Sequence, residues 1–300
     1  MAATDELVSS FDKSWKNFSK AWKEARATAS EKSVHDLRVS TRRLIATLEL
    51  TRALSKHDEI ASLQRRFKKV LKRMGPLRDV QVQLETVSKM HQIGAIKEFE
   101  RDLDRRERRE IDSLSKELKR GRKQRLCEEV KDARSEFARL HDKLGDDRVR
   151  GLIERILKLR RNEFLKARRR FQPSDEDTLH EMRIAFKKFR YTVEAAQPVI
   201  RDSAKQSAGE MHAFQQLMGD SRDVEILRAE LQKWSAKKGN IIAMAPALQR
   251  LEQKRESLLK KIIESSTAFE EKLQTENRPP VTETTRAVAA PASAPLRKAS

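Results

Sequence analysis

Apolar residues recur along this chain at steps of three and four, which is the spacing of one face of an α-helix. The pattern is clearest between Asp5 and Ala27, where the aromatic side chains are Phe11, Trp15, Phe18 and Trp22. This spacing is typical of side chains that pack in a core, and less typical of a platform on which nucleic-acid bases stack. The pattern predicts an amphipathic first helix.

Two motifs occur twice along the chain, in the same order. VHDLRVSTRRL at 34–44 aligns with LHEMRIAFKKF at 179–189, and MGPLRDV at 74–80 aligns with MGDSRDV at 218–224. Because the two offsets, 145 and 144 residues, are nearly equal, they indicate an internal repeat. Each copy is predicted to contain a helix, a basic helix, a third helix ended by a glycine turn, and a fourth helix.

Few residues before position 275 can interrupt a helix, since the chain has 8 Gly and 8 Pro and four of these prolines lie beyond that point. We predict an all-α fold with a first repeat at 1–145, which ends in a long helical hairpin bent at Gly121, and a second repeat at 146–275. The mixed-charge run RDLDRRERRE in the hairpin is predicted to be a solvated surface. Residues 276–300, rich in Ala, Pro, Thr and Ser, are predicted to be disordered.

The charge balance indicates an anionic partner. Lys and Arg number 66 against 46 Asp and Glu, which gives a net charge of +20 and a pI of about 10.1. No segment approaches the roughly 20 apolar residues of a membrane span, and the first residues do not resemble a secretion signal, so we expect a cytoplasmic protein that does not enter a membrane. The single cysteine, Cys127, excludes an intramolecular disulfide, and no pattern predicts a metal or a cofactor.

Basic side chains share one face of each matched helix, while apolar residues such as Leu44 and Phe186 lie on another. At about 100° per residue, the members of each basic set fall within roughly 60° of one another. The sets are His35, Arg38 and Arg42 in the first copy, and His180, Arg183 and Lys187 in the second, with Arg190 extending the second row.

The third helix of the first copy also has a basic face opposite an apolar one. This face consists of Arg65, Lys68, Lys69, Lys72 and Arg73. The second copy has His212, Gln215 and Gln216 there, so unequal binding by the two halves is predicted. Arg78 and Arg222, each followed by an Asp, admit two interpretations: an Arg–Asp bridge that fixes the helix start, or a part in binding.

Ser33 and Thr178 are each followed three residues later by an acid, which is the capping-box pattern. If they cap the basic helices, His35 and His180 lie in the first turn, where free N–H groups and the helix dipole favour an anion. Bound phosphate would favour the protonated imidazole, whereas the neighbouring arginines oppose it. The protonation state therefore stays open.

The segments HDLRVSTRRL, MGPLRDV, HEMRIAFKKFRY and MGDSRDV, in this order, resemble the signature segments of the CHAD family, the histidine-containing α-helical domain. The resemblance extends over roughly residues 5–275. It implies two four-helix-bundle repeats with pseudo-twofold symmetry around a basic groove or pore. It also implies inorganic polyphosphate as the ligand, association with polyphosphate granules, and Arg43 and Lys188 as further binding residues. Nothing resembles the CYTH domain to which many family members are fused.

We therefore expect non-catalytic binding of polyphosphate. Two alternatives stay open: an enzyme of phosphate chemistry that uses His35 or His180, and a DNA- or RNA-binding protein. The sequence has neither the glycine loop nor the acidic metal cluster typical of the first, and no zinc finger, RNP or KH motif typical of the second. Because the few aromatic residues are assigned to the core, nucleic acid is expected to bind only as a non-specific polyanion. A scaffold of packed helices would leave the basic faces unexplained.

Overall fold

A computed structural model describes residues 2–54, 58–120, 123–200 and 208–275, without the side chains of residues 123–125, 140–143 and 275. Every regular element in this part of the chain is helical, which confirms the all-α prediction. The elements are α1 (Ala3–Thr28), α2 (Glu31–Leu54), α3 (Asp58–Arg73), α4 (Gly75–Val87) with a 3₁₀ turn at Ser88–Met90, α5 (Ile96–Arg120), α6 (Lys123–Leu144), α7 (Asp146–Arg170), α8 (Glu176–Ala196), α9 (Ala208–Lys238) and α10 (Ile241–Thr275).

Two sequence predictions, the bend at Gly121 and the disordered tail at 276–300, concern residues outside the described ranges. Within those ranges, no helix combines the length and the apolar character that a membrane crossing requires.

The aromatic face of α1 forms part of the core of the first half. Phe11 and Phe18 are fully buried, and their ring centroids lie 4.7 Å from that of Phe137 and 5.1 Å from that of Phe67, respectively. Apolar residues of α2, α3, α5 and α6 complete this cluster. The prediction that the aromatic stripe packs in a core is confirmed.

Phenylalanines also dominate the core of the second half. The ring centroid of Phe186, on α8, lies 4.9 Å from that of Phe164, 4.7 Å from that of Phe214 and 5.4 Å from that of Phe269. These rings join α7, α8, α9 and α10 in edge-to-face contacts, which aromatic side chains favour. Phe186 is fully buried at the centre of the group.

Two further apolar clusters join the halves. In one, α4 and α5 pack against α9 and α10 through residues such as Val80 and Leu227. In the other, α1 and α2 pack against α7 and α8 through residues such as Leu50 and Ile153. As a result α2 lies against α8 and α4 against α9, so the two copies of each motif are neighbours. The repeat boundary at 145 and the pseudo-twofold symmetry stay predictions.

The predicted turn between the third and fourth helices is confirmed in the first copy and wrong in the second. Gly219 lies inside α9, which continues without a break. In the first copy α3 does end at Arg73, but neither Met74, with a φ of −82°, nor Gly75 is left-handed.

The interruption in the first copy coincides with a proline. Pro76 lies in the first turn of α4, where its missing N–H is tolerated, whereas a helix that continued from α3 would need that group as a donor. The second copy has Asp220 at this position, and its helix continues. The difference between MGP and MGD therefore accounts for two helices in one half and one in the other.

Phe186→Ala is expected to lower the free energy of unfolding by about 3–5 kcal/mol, because it leaves a cavity among three aromatic rings. Urea denaturation followed by circular dichroism measures the change. In the matched control Ile242→Ala, where the side chain is 91% exposed, the change should stay within about 0.5 kcal/mol. A similar loss in both variants would contradict the packing described here.

Candidate functional site

Both basic helices begin one turn earlier than the capping-box pattern predicts. Ser30 Oγ accepts a hydrogen bond from the Ser33 N–H at 3.3 Å, just ahead of α2. Asp175 Oδ1 accepts one from the Asp177 N–H at 2.9 Å, at the start of α8. Ser and Asp are both strong capping residues, and a cap three residues upstream lengthens each helix by about one turn.

The predicted caps at Ser33 and Thr178 are therefore wrong. His35 and His180 lie beyond the first turn of α2 and α8, where the backbone N–H groups already belong to the helix. Any anion bound near these histidines must be held by side chains.

Four cations from α2 and α8 meet where these two helices pack together. Arg42 interacts electrostatically with Arg183 and Lys187 across the contact, and Arg38 interacts with Lys187. All four side chains are partly buried. We call Arg38, Arg42, Arg183 and Lys187 the central basic cluster. The structure thus brings together the arginines and lysine of the two predicted basic faces.

Burial and mutual repulsion disfavour the charged forms in this cluster. Loss of solvation, followed by the charge of Arg42, lowers the pKa of Arg38 to about 10. Lys187 is affected most: loss of solvation, followed by the charges of Arg42, Arg183 and Arg38, lowers its pKa to about 7. Burial also lowers the pKa of Arg183, although Asp223 opposes this effect. The cluster is short of negative charge.

Two N–H groups of the central basic cluster have no hydrogen-bond partner within the described residues. They are Nη1 of Arg38 and Nε of Arg42, and both atoms are buried. In the same part of the chain none of the four cations forms an ion pair. A buried, unpaired charge is costly, and a guanidinium with a free N–H is a strong donor to an oxyanion. The cluster can therefore accept an anion.

Two carboxylates offset part of this charge. Asp79 of α4 interacts with Arg38, and Asp223 of α9 interacts with Arg183. Loss of solvation raises the pKa of both carboxyl groups, while these arginines act in the opposite direction. The two acids also approach each other closely enough for Asp79 to raise the pKa of Asp223. They border the central basic cluster on the side of α4 and α9.

The arginines that precede these acids pair elsewhere. Arg78 Nη1 lies 2.7 Å from Glu31 Oε1, and Arg222 Nη1 lies 3.2 Å from Glu225 Oε2. Each arginine therefore forms an internal ion pair, as the first interpretation of the Arg–Asp motif proposed. Its partner, however, is a glutamate and not the adjacent Asp.

His35 and His180 lie on the exposed edge of the site. Loss of solvation lowers the pKa of both imidazoles, and the next largest cause is Arg78 for His35 and Arg222 for His180. Without an anion, the neutral imidazole is favoured.

Tyr191 is absent from the residues predicted for the site. It interacts electrostatically with both Arg38 and Arg183, and the guanidinium of Arg190 lies 4.2 Å from its ring centroid. A phenol hydroxyl can donate a hydrogen bond to a phosphate oxygen. Its place four residues after Lys187, on the same helix face, is the signal that could have found it.

The remaining predicted cations of α2 and α8 lie beside the central basic cluster. Arg43 Nε contacts Glu194 Oε1 at 2.6 Å, and Arg190 Nη1 contacts Glu194 Oε2 at 3.3 Å. This shared glutamate links α2 to α8. Lys188 is exposed.

The basic face of α3 forms a separate surface. Its apolar side packs in the first core, which leaves Arg65, Lys69 and Lys72 exposed. Arg73 Nε lies 3.6 Å from Glu117 Oε2 of α5. Throughout the described ranges, no group of three or more His, Cys, Asp or Glu side chains could hold a metal ion.

Comparison with known families decides the relationship of this chain. The family model of the CHAD domain matches residues 10–232, which is more than half of the chain. The chain belongs to the CHAD family. The matched region runs from α1 into α9 and so includes both copies of each motif in this CHAD chain. A comparison with curated proteins finds no match.

Solved structures share the fold of this CHAD chain. The crystal structure of the CHAD domain from the plant Ricinus communis aligns with a TM-score of 0.68 and 18% identity, over 89% of this chain and 92% of that one. PptA from Streptomyces chartreusis aligns with a TM-score of 0.56 and 16% identity, over 91% of this chain and 100% of that one. At these identities the similarity shows a common fold.

Lys187→Met is expected to stabilise the ligand-free protein by about 1–4 kcal/mol near pH 6, because it removes a buried cation from among three others. The folded-state pKa of Lys187, about 7, lies below the unfolded value of about 10.4, so wild-type stability rises with pH across this interval. The advantage of the variant should therefore shrink from pH 7 towards pH 10. Urea unfolding at several pH values measures both effects, and a variant less stable than the wild type at pH 6 would contradict them.

Proposed function

We propose that this CHAD chain binds inorganic polyphosphate through the central basic cluster and catalyses no reaction on it. The supporting observation is the desolvated and unpaired state of Arg38, Arg42 and Lys187. Such an arrangement costs stability in the free protein, because each buried cation lacks a partner. A bound anion would supply the missing acceptors and the missing negative charge.

The spacing of the cations suits a chain of phosphates better than a single one. His35, Arg38 and Arg42 extend over about two turns of α2, roughly 10 Å along the axis, and α8 repeats the arrangement beside it. A flexible polymer can bring successive phosphates to successive cations. Polyphosphate is also the ligand that membership of the CHAD family implies, and its binding would bring the chain to polyphosphate granules in the cytoplasm.

Burial favours polyphosphate over nucleic acid. The central basic cluster lies partly buried at the junction of α2 and α8, a position that favours a thin chain over a wide, stiff duplex. Polyphosphate has nothing but phosphate along its length, whereas nucleic-acid phosphates carry sugars and bases on either side. Nucleic acid would then bind only through exposed cations, as a non-specific polyanion.

The state of the histidines disfavours one catalytic role, that of a general acid. Because the pKa of His35 and of His180 is lowered, both imidazoles are mainly neutral near pH 7 and so hold no proton to give to a leaving group. As neutral groups at the edge of the site they can still donate a hydrogen bond to a phosphate oxygen. Their matched positions in both copies suit this shared binding role.

Replacing the four cations of the central basic cluster with glutamine is expected to weaken polyphosphate binding by about 100-fold or more, because charge pairing dominates such affinity. The substitutions are Arg38→Gln, Arg42→Gln, Arg183→Gln and Lys187→Gln. The matched control removes four exposed cations of α10 by Arg250→Gln, Lys254→Gln, Lys260→Gln and Lys261→Gln. Titration calorimetry with polyphosphate of defined length measures both variants, and circular dichroism checks their helix content.

Two further measurements distinguish binding at the central basic cluster from non-specific electrostatic attraction. Wild-type affinity should fall steeply with salt, and duplex DNA at an equal concentration of phosphate should displace little polyphosphate. Equal loss of affinity in the site variant and the α10 control would refute the site. Efficient displacement by duplex DNA would favour the nucleic-acid alternative.

Purified protein incubated with polyphosphate and Mg²⁺ is expected to release no phosphate and to leave the chain length unchanged. A colorimetric phosphate assay and gel electrophoresis of the polymer measure the two quantities. Hydrolysis that His35→Ala or His180→Ala abolishes, with binding retained, would identify an enzyme instead.

A further inference from the structure

A second cleft lies between α5 and α9, outside the central basic cluster. We call it the α5–α9 cleft; its volume is about 470 Å³, within the range of small-molecule sites. Its apolar lining consists of Trp234, which is partly exposed, and of Phe99 and Leu103, which are almost completely buried. The mixed-charge run at 101–110 supplies one wall, so the prediction that this run is merely a solvated surface is incomplete.

Trp234 is fixed in this cleft by polar and aromatic contacts. Its Nε1–H donates a hydrogen bond to Asp102 Oδ2 at 2.6 Å, and Asp102 is also ion-paired with Arg105. The hydrogen bond from Trp234 is the largest of the effects that lower the pKa of Asp102, so the carboxylate stays ionised. The ring of Phe99 meets the indole edge-to-face, with 5.4 Å between centroids. Trp234 packs against the apolar cluster shared by α4, α5, α9 and α10, yet it stays partly exposed.

The acids of the cleft are already engaged, which leaves cations available. Besides the Asp102 pair, Arg106 Nη1 contacts Glu230 Oε2 at 3.0 Å. Arg109 of α5, with Lys233 and Lys237 of α9, is exposed, and in the described part of the chain these three form no ion pair. Lys233 and Lys237 are four residues apart and so lie on one face of α9.

We propose that the α5–α9 cleft binds a nucleoside phosphate, with the base against Trp234 and the phosphates on Arg109, Lys233 and Lys237. A planar base can pack on a fixed indole, and every base has a face suited to this contact. The adjacent cations would neutralise the phosphates that the base carries. The cleft thus offers separate surfaces for the two parts of such a ligand.

A bare phosphate chain fits this cleft poorly. Phosphate can contact the cations of the cleft, but it has no apolar surface to place against Trp234 and would lose hydration there. Arg106 interacts with Asp79, so the α5–α9 cleft lies near the central basic cluster but uses none of its four cations. The two sites can therefore be tested separately.

The test compares ATP with inorganic tripolyphosphate by titration calorimetry on the full chain. To keep ATP from the central basic cluster, both titrations are repeated with the variant Arg38→Gln/Lys187→Gln. That variant is expected to retain ATP binding, whereas its binding of tripolyphosphate becomes weak. Adding Trp234→Leu should weaken ATP binding at least 10-fold and leave the weak binding of tripolyphosphate unchanged, because only ATP carries a base.

Surface variants keep the test valid if Trp234→Leu fails to fold. Lys233→Gln/Lys237→Gln should weaken ATP binding at least 10-fold, whereas the matched exposed pair Lys260→Gln/Lys261→Gln on α10 should not change it. Equal affinity for ATP and tripolyphosphate, or no response to either cleft variant, would overturn the proposal. Since the proposed function is measured with polyphosphate at the other site, either can fail without the other.

Discussion

The central constraint in this structure is the repulsion among partly buried cations at the contact between α2 and α8. Arg38, Arg42, Arg183 and Lys187 would separate if their helices were free to move, since no carboxylate pairs with them directly in the described residues. Apolar packing on the other sides of both helices holds them in place. The stability of the cores is thus used to maintain a charge arrangement that the free protein disfavours.

Apolar packing supports the contact between α2 and α8 from several sides. Each half has a core of its own, and two more clusters join α4 and α5 to α9 and α10, and α1 and α2 to α7 and α8. The contact between α2 and α8 therefore has apolar support from both halves. Asp79 on α4 and Asp223 on α9 lie beside the central basic cluster. They offset part of its positive charge without neutralising it.

The helices and their faces could be predicted from the sequence because periodicity reports directly which side of a helix is buried. The points at which helices begin and end were harder to predict. Ser33 and Thr178 fit a capping pattern, yet Ser30 and Asp175 are equally good caps one turn earlier and extend the helices. At the glycines, the outcome depended on the next residue, since Pro76 interrupts a helix that Asp220 allows to continue.

Contacts between distant segments could not be predicted at all. The indole of Trp234 and the carboxylate of Asp102 are 132 residues apart in sequence, and no local pattern relates them. The same holds for the lowered pKa of Lys187, which depends on arginines from the other half. Tyr191 is different. Its place on the basic face of α8 follows from the sequence, and only the ability of its hydroxyl to donate a hydrogen bond to phosphate was overlooked.

The unbroken course of α9 has a consequence for cooperativity. Its first turns contribute Met211, Phe214 and Met218 to the core of the second half, and its later turns contribute Val224, Leu227 and Leu231 to a cluster shared with α4 and α5. Because a single stretch of helical hydrogen bonds serves both, melting its middle would loosen two cores at once. The core of the second half and this shared cluster are therefore expected to unfold together.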